Sequence, residues 1–321
     1  MKGSVAVPHG IYLLASDDLN GDGVADLVVA GYRSVGVLLG LGGGNFEPAV
    51  LYDTRQFLPT YSVAVADFNH DGKADIAAVG DDCYDRVSVL VVFLGNGDGT
   101  FAKPIPYDTT YNSFSNLVVA DFNGDGIPDL ADSGDYVTVH LGRGDGSFLP
   151  PAFFDASTSF ILGANSPRKS LAAVDINQDG NVDVLSLDYY TNILDVLMGK
   201  GDGTFQERSL FGTGPCPKSV AVADLNHDGN LDVAVPDTCD SNFEVLAGDG
   251  TGKFLTRRSY DIQVAAQPTS VAAGYLDSNQ SLDLVVGDLG IGAGGGFYLF
   301  PGNNRGAFQR GAVVLVSGGA A

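Results

Sequence analysis

Short apolar runs rich in Val, Ala, Ile and Leu recur along the chain, each bounded by Gly, Asp, Asn or Pro. SVAVAD ends at Asp67 and again at Asp224, DLVVA starts at Asp26, DIAAV at Asp75 and DVAVP at Asp232, and VSVLVVFLG leads into Gly95. Such runs are too short and too β-branched for helices, and the turn residues that punctuate them predict many short strands.

The punctuation itself repeats. DLNGDGVAD, DFNHDGKAD, DFNGDGIPD, DINQDGNVD and DLNHDGNLD begin at Asp18, Asp67, Asp121, Asp175 and Asp224, and a degraded copy, YLDSNQSLD, begins at Tyr275. A Gly-rich signature follows each copy and ends at Phe46, Phe101, Phe148, Phe205, Phe254 and Phe308. Two strands flank the acidic string, a third precedes the Gly-rich turn and a fourth follows the Phe. Four short antiparallel strands in roughly 50 residues, repeated six times, predict an all-β chain folded as a six-bladed β-propeller, with seven blades as the alternative. The whole of 1–321 is read as one propeller domain with repeats at about 8–58, 59–112, 113–167, 168–215, 216–265 and 266–321. Ser4 to Val7 form an extra apolar stretch that could add a strand to the last blade.

The string D-x-N-x-D-G-x-x-D sets side-chain oxygens at positions 1, 3, 5 and 9 and a backbone carbonyl at position 7, which is a donor set for calcium. The predicted ligands are Asp18, Asn20, Asp22, Val24 and Asp26; Asp67, Asn69, Asp71, Lys73 and Asp75; Asp121, Asn123, Asp125, Ile127 and Asp129; Asp175, Asn177, Asp179, Asn181 and Asp183; and Asp224, Asn226, Asp228, Asn230 and Asp232. An EF-hand is excluded, because its twelfth position needs Glu and here holds Val29, Ala78, Asp132, Ser186 and Val235. Asp, Asn and Gly also make good turns unaided, but three carboxylates in one nine-residue loop repel one another without a cation. About five structural Ca²⁺ ions are therefore expected. The sixth loop, with Tyr275 first, is expected to be weak or empty, and His70 and His227 at the fourth position are expected to point outward.

Composition narrows the partners. Only 17 Lys and Arg accompany 39 Asp and Glu, a net charge of −22 that disfavours nucleic acid. No apolar run approaches the roughly 20 residues that span a bilayer, so membrane insertion is not expected. The N-terminal residues carry no signal peptide pattern, and 44 glycines fit many tight turns.

These paired motifs resemble the FG-GAP/VCBS repeat family, which includes integrin alpha-subunit propellers and many secreted bacterial proteins. The resemblance covers nearly the whole chain and implies a calcium-stabilised propeller used for adhesion, ligand binding or scaffolding. It also implies calcium in the hairpin between the first two strands of a blade, with partners on the opposite face. Six repeats in place of the integrins' seven, and the decayed loop at Tyr275, are departures.

The loops of that opposite face vary most between copies and carry Tyr32, Tyr84, Tyr136 and the Tyr189–Tyr190 pair. Tyrosine beside Asp and Asn suits a sugar or peptide surface, although the same rings could simply cap blade edges. Cys216 and Cys239 lie equidistant from the acidic loop of the fifth repeat, which suits a disulfide across its hairpin; the alternative is two unpaired thiols, with Cys83 left over. A disulfide and calcium together point outside the cell or to its surface. The expected function is an extracellular, monomeric binding module for carbohydrate or protein, with a ligand-free scaffold or a polysaccharide-acting enzyme as alternatives. No catalytic constellation is visible: the four histidines are His9, His70, His140 and His227, and no G-x-S-x-G element occurs.

Overall fold

The computed structural model describes residues 13–54, 60–81, 88–108, 116–134, 136–155, 169–262, 266–289, 295–303 and 305–315. Ser4 to Val7, Cys83 and Tyr84 lie outside the described residues. All regular structure among the described residues is β, and none of it is a helix long and apolar enough to cross a membrane.

The chain is a six-bladed β-propeller in class, each blade a four-stranded antiparallel sheet whose strands follow in chain order. The first blade runs Leu13–Asp17, Asp26–Gly31, Ser34–Leu38 and Val50–Asp53. The second runs Thr60–Ala66, Asp75–Asp81, Ser88–Phe93 and Ile105–Asp108, and the third Asn116–Ala120, Asp129–Ser133, Tyr136–His140 and Ala152–Asp155. The fourth comprises Lys169–Val174, Asp183–Asp188, Ile193–Leu197 and Ser209–Gly212. The fifth has Ala221–Ala223, Asp232–Asp237, Asn242–Gly248 and Phe254–Asp261, and the sixth Pro268–Gly274, Asp283–Asp288, Gly296–Phe300 and Val313–Leu315. The blades fall into two compact units of three, one up to Asp155 and one from Lys169 on.

Within each unit the alternation of strand side chains builds the core. In the second blade, Ile76 and Ala78 face the first blade and pack with Val28, Ala30, Val35 and Val37. Ala77 and Val79, one residue out of phase, pack with Leu117 and Leu130 of the third blade. Both faces of the middle strands are therefore buried, which is why those strands read as unbroken apolar runs. In the second unit, Val233 and Val235 meet Leu185, Leu187, Leu194 and Val196, while Ala234 and Phe243 meet Leu284, Val286 and Phe300. Each fully buried Leu, Ile or Phe contributes about 1.5–3 kcal/mol.

The Gly-rich turns join the third strand to the fourth. The first glycine of each turn pairs with its Phe, as in Gly95 with Phe101, Gly142 with Phe148 and Gly199 with Phe205. This glycine tolerates no side chain: a Cβ on Gly95, Gly199 or Gly248 would overlap the carbonyl oxygen of Ala74, Val182 or Leu231. The same turns lean on the preceding blade. Gly99 N–H donates to the Leu19 carbonyl at 3.2 Å and Gly146 N–H to the Phe68 carbonyl at 2.9 Å.

Gly199→Ala is expected to destabilise the protein by about 1–3 kcal/mol, because overpacking against a backbone carbonyl cannot be relieved by a rotamer change. Urea unfolding measures it, and an unchanged midpoint would contradict the close approach.

Candidate functional site

The acidic loops connect the first and second strands of each blade. In the first, the Asp18 carboxylate accepts hydrogen bonds from the amides of Gly21, Asp22 and Gly23 at 2.8, 3.2 and 2.8 Å. Asn20 Oδ1 accepts from Asp22 N–H, and Asp22 Oδ1 from Val24 N–H. Each side chain thus grips the backbone a few residues ahead, the turn chemistry natural to Asp and Asn. The other four intact loops repeat it: Asp67 accepts from Asp71 and Gly72, Asp121 from Asp125 and Gly126, Asp175 from Asp179 and Gly180, and Asp224 from Asp228 and Gly229. His70, Gln178 and His227 occupy the fourth position with φ of 57°, 59° and 60°, the left-handed conformation that glycine adopts there in the first and third loops.

The ninth residue has a second task that the spacing did not reveal. Asp183 Oδ2 accepts from Ile176 N–H of its own loop at 2.9 Å, and Oδ1 accepts from Gly199 N–H of the Gly-rich turn at 2.7 Å. Asp26, Asp75, Asp129, Asp232 and Asp283 do the same, reaching Gly40, Gly95, Gly142, Gly248 and Gly302. The only sequence signal for this bond is that each acidic string is followed by a Gly-rich turn, at a separation that varies from blade to blade.

These carboxylates are buried between other acids. Burial, and then the neighbouring first- and fifth-position aspartates, push Asp129, Asp183 and Asp232 up to about 6, against a few stabilising amides. Asp75 shifts the same way for the same reasons. Among the described residues no three Asp, Glu, His or Cys side chains lie together as a metal-binding group. Each intact loop nevertheless combines three carboxylates, an Asn oxygen and a seventh-position carbonyl, an all-oxygen set. Each oxygen has a second lone pair beyond its amide bond, so the set fits a hard cation better than a soft one.

The sixth loop keeps the frame without the set. Tyr275 replaces the first Asp, Gln280 takes a φ of 62° where the others have glycine, and Asp277 and Asn279 still accept from Asn279 and Ser281 amides. Leu276 is 52% exposed, whereas its counterparts Leu19, Phe68, Phe122, Ile176 and Leu225 are buried.

At the other end of each blade lie the hairpins between second and third strands. Tyr189 and Tyr190 meet edge to face with ring centroids 5.1 Å apart, and the Lys218 ammonium sits 5.8 Å from the Tyr189 centroid. Asp188 holds the turn by accepting from Tyr190 and Thr191 amides. Tyr190 is 43% exposed, and Tyr32, 51% exposed, stacks with the Arg33 guanidinium. Tyr136 differs: its ring packs edge-on against Phe153 of the outer strand. Cys216 and Cys239 are joined in a disulfide, and Cys216 N–H donates to Asn192 Oδ1 in the neighbouring hairpin.

Sequence reading passed over three buried polar groups in the middle blades. His140 Nε2 lies 2.7 Å from Asp132 Oδ2, Arg208 pairs with Asp195, and Arg257 pairs with Glu244 beside Asp237, which burial and Glu244 push up to about 8. The acids Asp132, Asp195, Asp237 and Glu244 lie in buried strands whose apolar neighbours masked them.

The raised ninth-position carboxyls set a pH dependence. Folded Asp129, Asp183 and Asp232 bind protons below about 6, whereas unfolded carboxyls do so only near 3.8, so between these limits the folded chain binds more protons. In metal-free buffer its stability is therefore expected to rise as pH falls from about 7 to about 5. Thermal unfolding in chelator across that range checks this, and a melting temperature that only falls would contradict it.

No curated protein matches the chain in sequence. An Agrocybe aegerita lectin that recognises non-reducing terminal N-acetylglucosamine is similar in structure, with a TM-score of 0.66 and 20% identity over 95% of this chain and 80% of that one. A functionally unknown protein from Desulfotomaculum acetoxidans gives 0.59 and 13% identity over 97% of this chain and 87% of the other. At these identities the likeness is one of fold. A profile of FG-GAP-like repeats matches residues 18–78, 79–131 and 175–235, more than half of the 321, and the chain belongs to the family of FG-GAP-like repeat proteins.

Proposed function

We propose that the protein is a calcium-stabilised extracellular binding module that holds carbohydrate at the hairpin ends of its blades, opposite the acidic loops. The observation that carries the ligand reading is the Tyr189–Tyr190 pair with Lys218. Two rings at right angles, one exposed, offer a flat apolar face for the C–H side of a sugar, while the phenol hydroxyls offer hydrogen bonds to its oxygens and the ammonium adds positive charge beside them. The fold is shared with a lectin that recognises terminal N-acetylglucosamine, which supports the same class of ligand. An extracellular protein is the second ligand class that this surface suits.

Calcium is supported by chemistry of the loops. Five of them repeat Asp, Asn, Asp and Asp in one frame, and the buried ninth carboxylate lies within the field of the first and fifth. A bound Ca²⁺ would neutralise that charge, and five ions would reduce the net charge from −22 to −12. The residues that would hold it are the first, third, fifth and ninth side chains and the seventh carbonyl of each intact loop, with Tyr275 excluding the sixth. The Cys216–Cys239 disulfide supports an oxidising compartment.

A binding role is favoured over catalysis. His140 is buried and paired with Asp132, His70 and His227 sit in the acidic loops, and the loop carboxylates hold backbone amides.

Removing calcium with EDTA is expected to lower the melting temperature by on the order of 10 °C or more, since ions bound only by the folded state add to its stability. A calorimetric trace unmoved by EDTA would refute the calcium reading. On a glycan array run with calcium, the protein is expected to bind a subset of sugars and Tyr189→Ala/Tyr190→Ala to lose at least tenfold in affinity while keeping its melting temperature. Full binding by that variant would move the ligand elsewhere, and no binding to glycans or matrix proteins would favour a scaffold.

A further inference from the structure

We propose that Asp237, Asn242 and Glu244 form a second kind of cation site, buried at the joint of the fourth and fifth blades and separate from the acidic loops. Asp237 closes one strand and Asn242 opens the next, paired in register, and Val235 pairs with Glu244 two residues on. The three polar side chains therefore share one face of the sheet, the face on which Val233, Val235 and Leu246 meet the fourth blade.

The chain from the fourth blade closes over them. Gly214 N–H donates to Glu244 Oε2 at 2.9 Å, and a Cβ on Gly214 would overlap the Asp237 carboxyl. Only glycine lets the backbone come so near. The disulfide pins the same two segments together, with Cys239 N–H donating to the Pro215 carbonyl at 3.4 Å and Thr238 N–H to that of Cys216 at 3.3 Å.

Inside this clamp, Asp237 is 0% exposed and neither of its carboxyl oxygens makes a hydrogen bond, nor does the buried Asn242 Oδ1. Three acceptor oxygens on one face of the sheet thus lie buried without a donor. Arg257, the guanidinium that reaches the cluster, is paired with Glu244 Oε1 at 3.1 Å and also donates to the Gly212 carbonyl at 3.3 Å. It balances one of two carboxylates, and Asp240 adds negative charge nearby. Turning the Asn242 amide end for end would supply a donor but no positive charge, and a proton on Asp237 would remove its charge but supply only one donor for three acceptor oxygens. A hard cation supplies the missing charge and accepts several oxygens at once, as Ca²⁺ or Na⁺ does with mixed carboxylate and amide ligands.

The test is a crystal of the whole chain grown with calcium, or soaked with Tb³⁺ for calcium or Tl⁺ for sodium, and examined by anomalous diffraction. An ion peak among the Asp237, Asn242 and Glu244 oxygens is expected, absent from Asp237→Asn while any peaks in the acidic loops persist. The loop peaks and this peak are read independently, so failure of either leaves the other standing. In solution, Asp237→Asn is expected to melt several degrees below wild type in saturating cation and at or above it after chelation and desalting. No peak with any of the three ions, or a melting difference that ignores cation, would overturn the site. Should Asp237→Asn not fold, the wild-type map decides alone.

Discussion

One carboxylate per blade ties the architecture together. The last aspartate of each acidic string is buried and accepts one amide from its own loop and one from the glycine turn between the third and fourth strands. Two loops that are distant in sequence are thereby fixed to each other at one end of the sheet. The bond forms only because the turn carries glycine, whose missing Cβ lets its amide sit against the carbonyl beside the aspartate. A buried hydrogen bond to a charged group contributes about 1.5–3 kcal/mol, so six of them are a sizeable part of a fold whose net stability is typically about 5–15 kcal/mol.

The same carboxylate links stability to chemistry. In Asp75, Asp129, Asp183 and Asp232 its oxygens are held by amides, but it is also desolvated and lies near two further aspartates, so its negative charge comes at an energetic cost that a proton or a cation can remove. The sixth loop separates the two roles. It has lost its first acid and keeps the left-handed turn and the double amide bond of Asp283. The turn frame therefore stands without a full ligand set, and the additional acids of the other five loops call for a purpose beyond turning the chain.

Buried polarity is concentrated differently at the middle blades. Asp132, Asp195 and the Asp237–Glu244 pair sit on buried middle strands, with His140, Arg208 and Arg257 respectively beside them. Such groups weaken a core unless paired, and Asp132 and Asp195 each have a side-chain partner within hydrogen-bond distance. Asp237 does not, and it is the member clamped by a glycine and a disulfide.

Much of this was legible in the residues. Strand lengths, six repeats, antiparallel blades and the turn-forming side chains follow from local pattern, because each depends on residues within a few positions of one another. The proximity of Cys216 and Cys239 was also readable, since a hairpin places equidistant residues opposite each other. What only the tertiary structure decided is which oxygens face inward: that the ninth aspartate reaches the glycine turn, that Tyr136 packs on Phe153 while Tyr189 and Tyr190 pair beside Lys218, and that Asp237 lies buried beside Glu244. The bond of the ninth aspartate joins segments whose separation varies from blade to blade, the other contacts occur in single blades and so leave no repeated signal, and the energy of a buried charge depends on its three-dimensional surroundings, which a linear pattern does not specify.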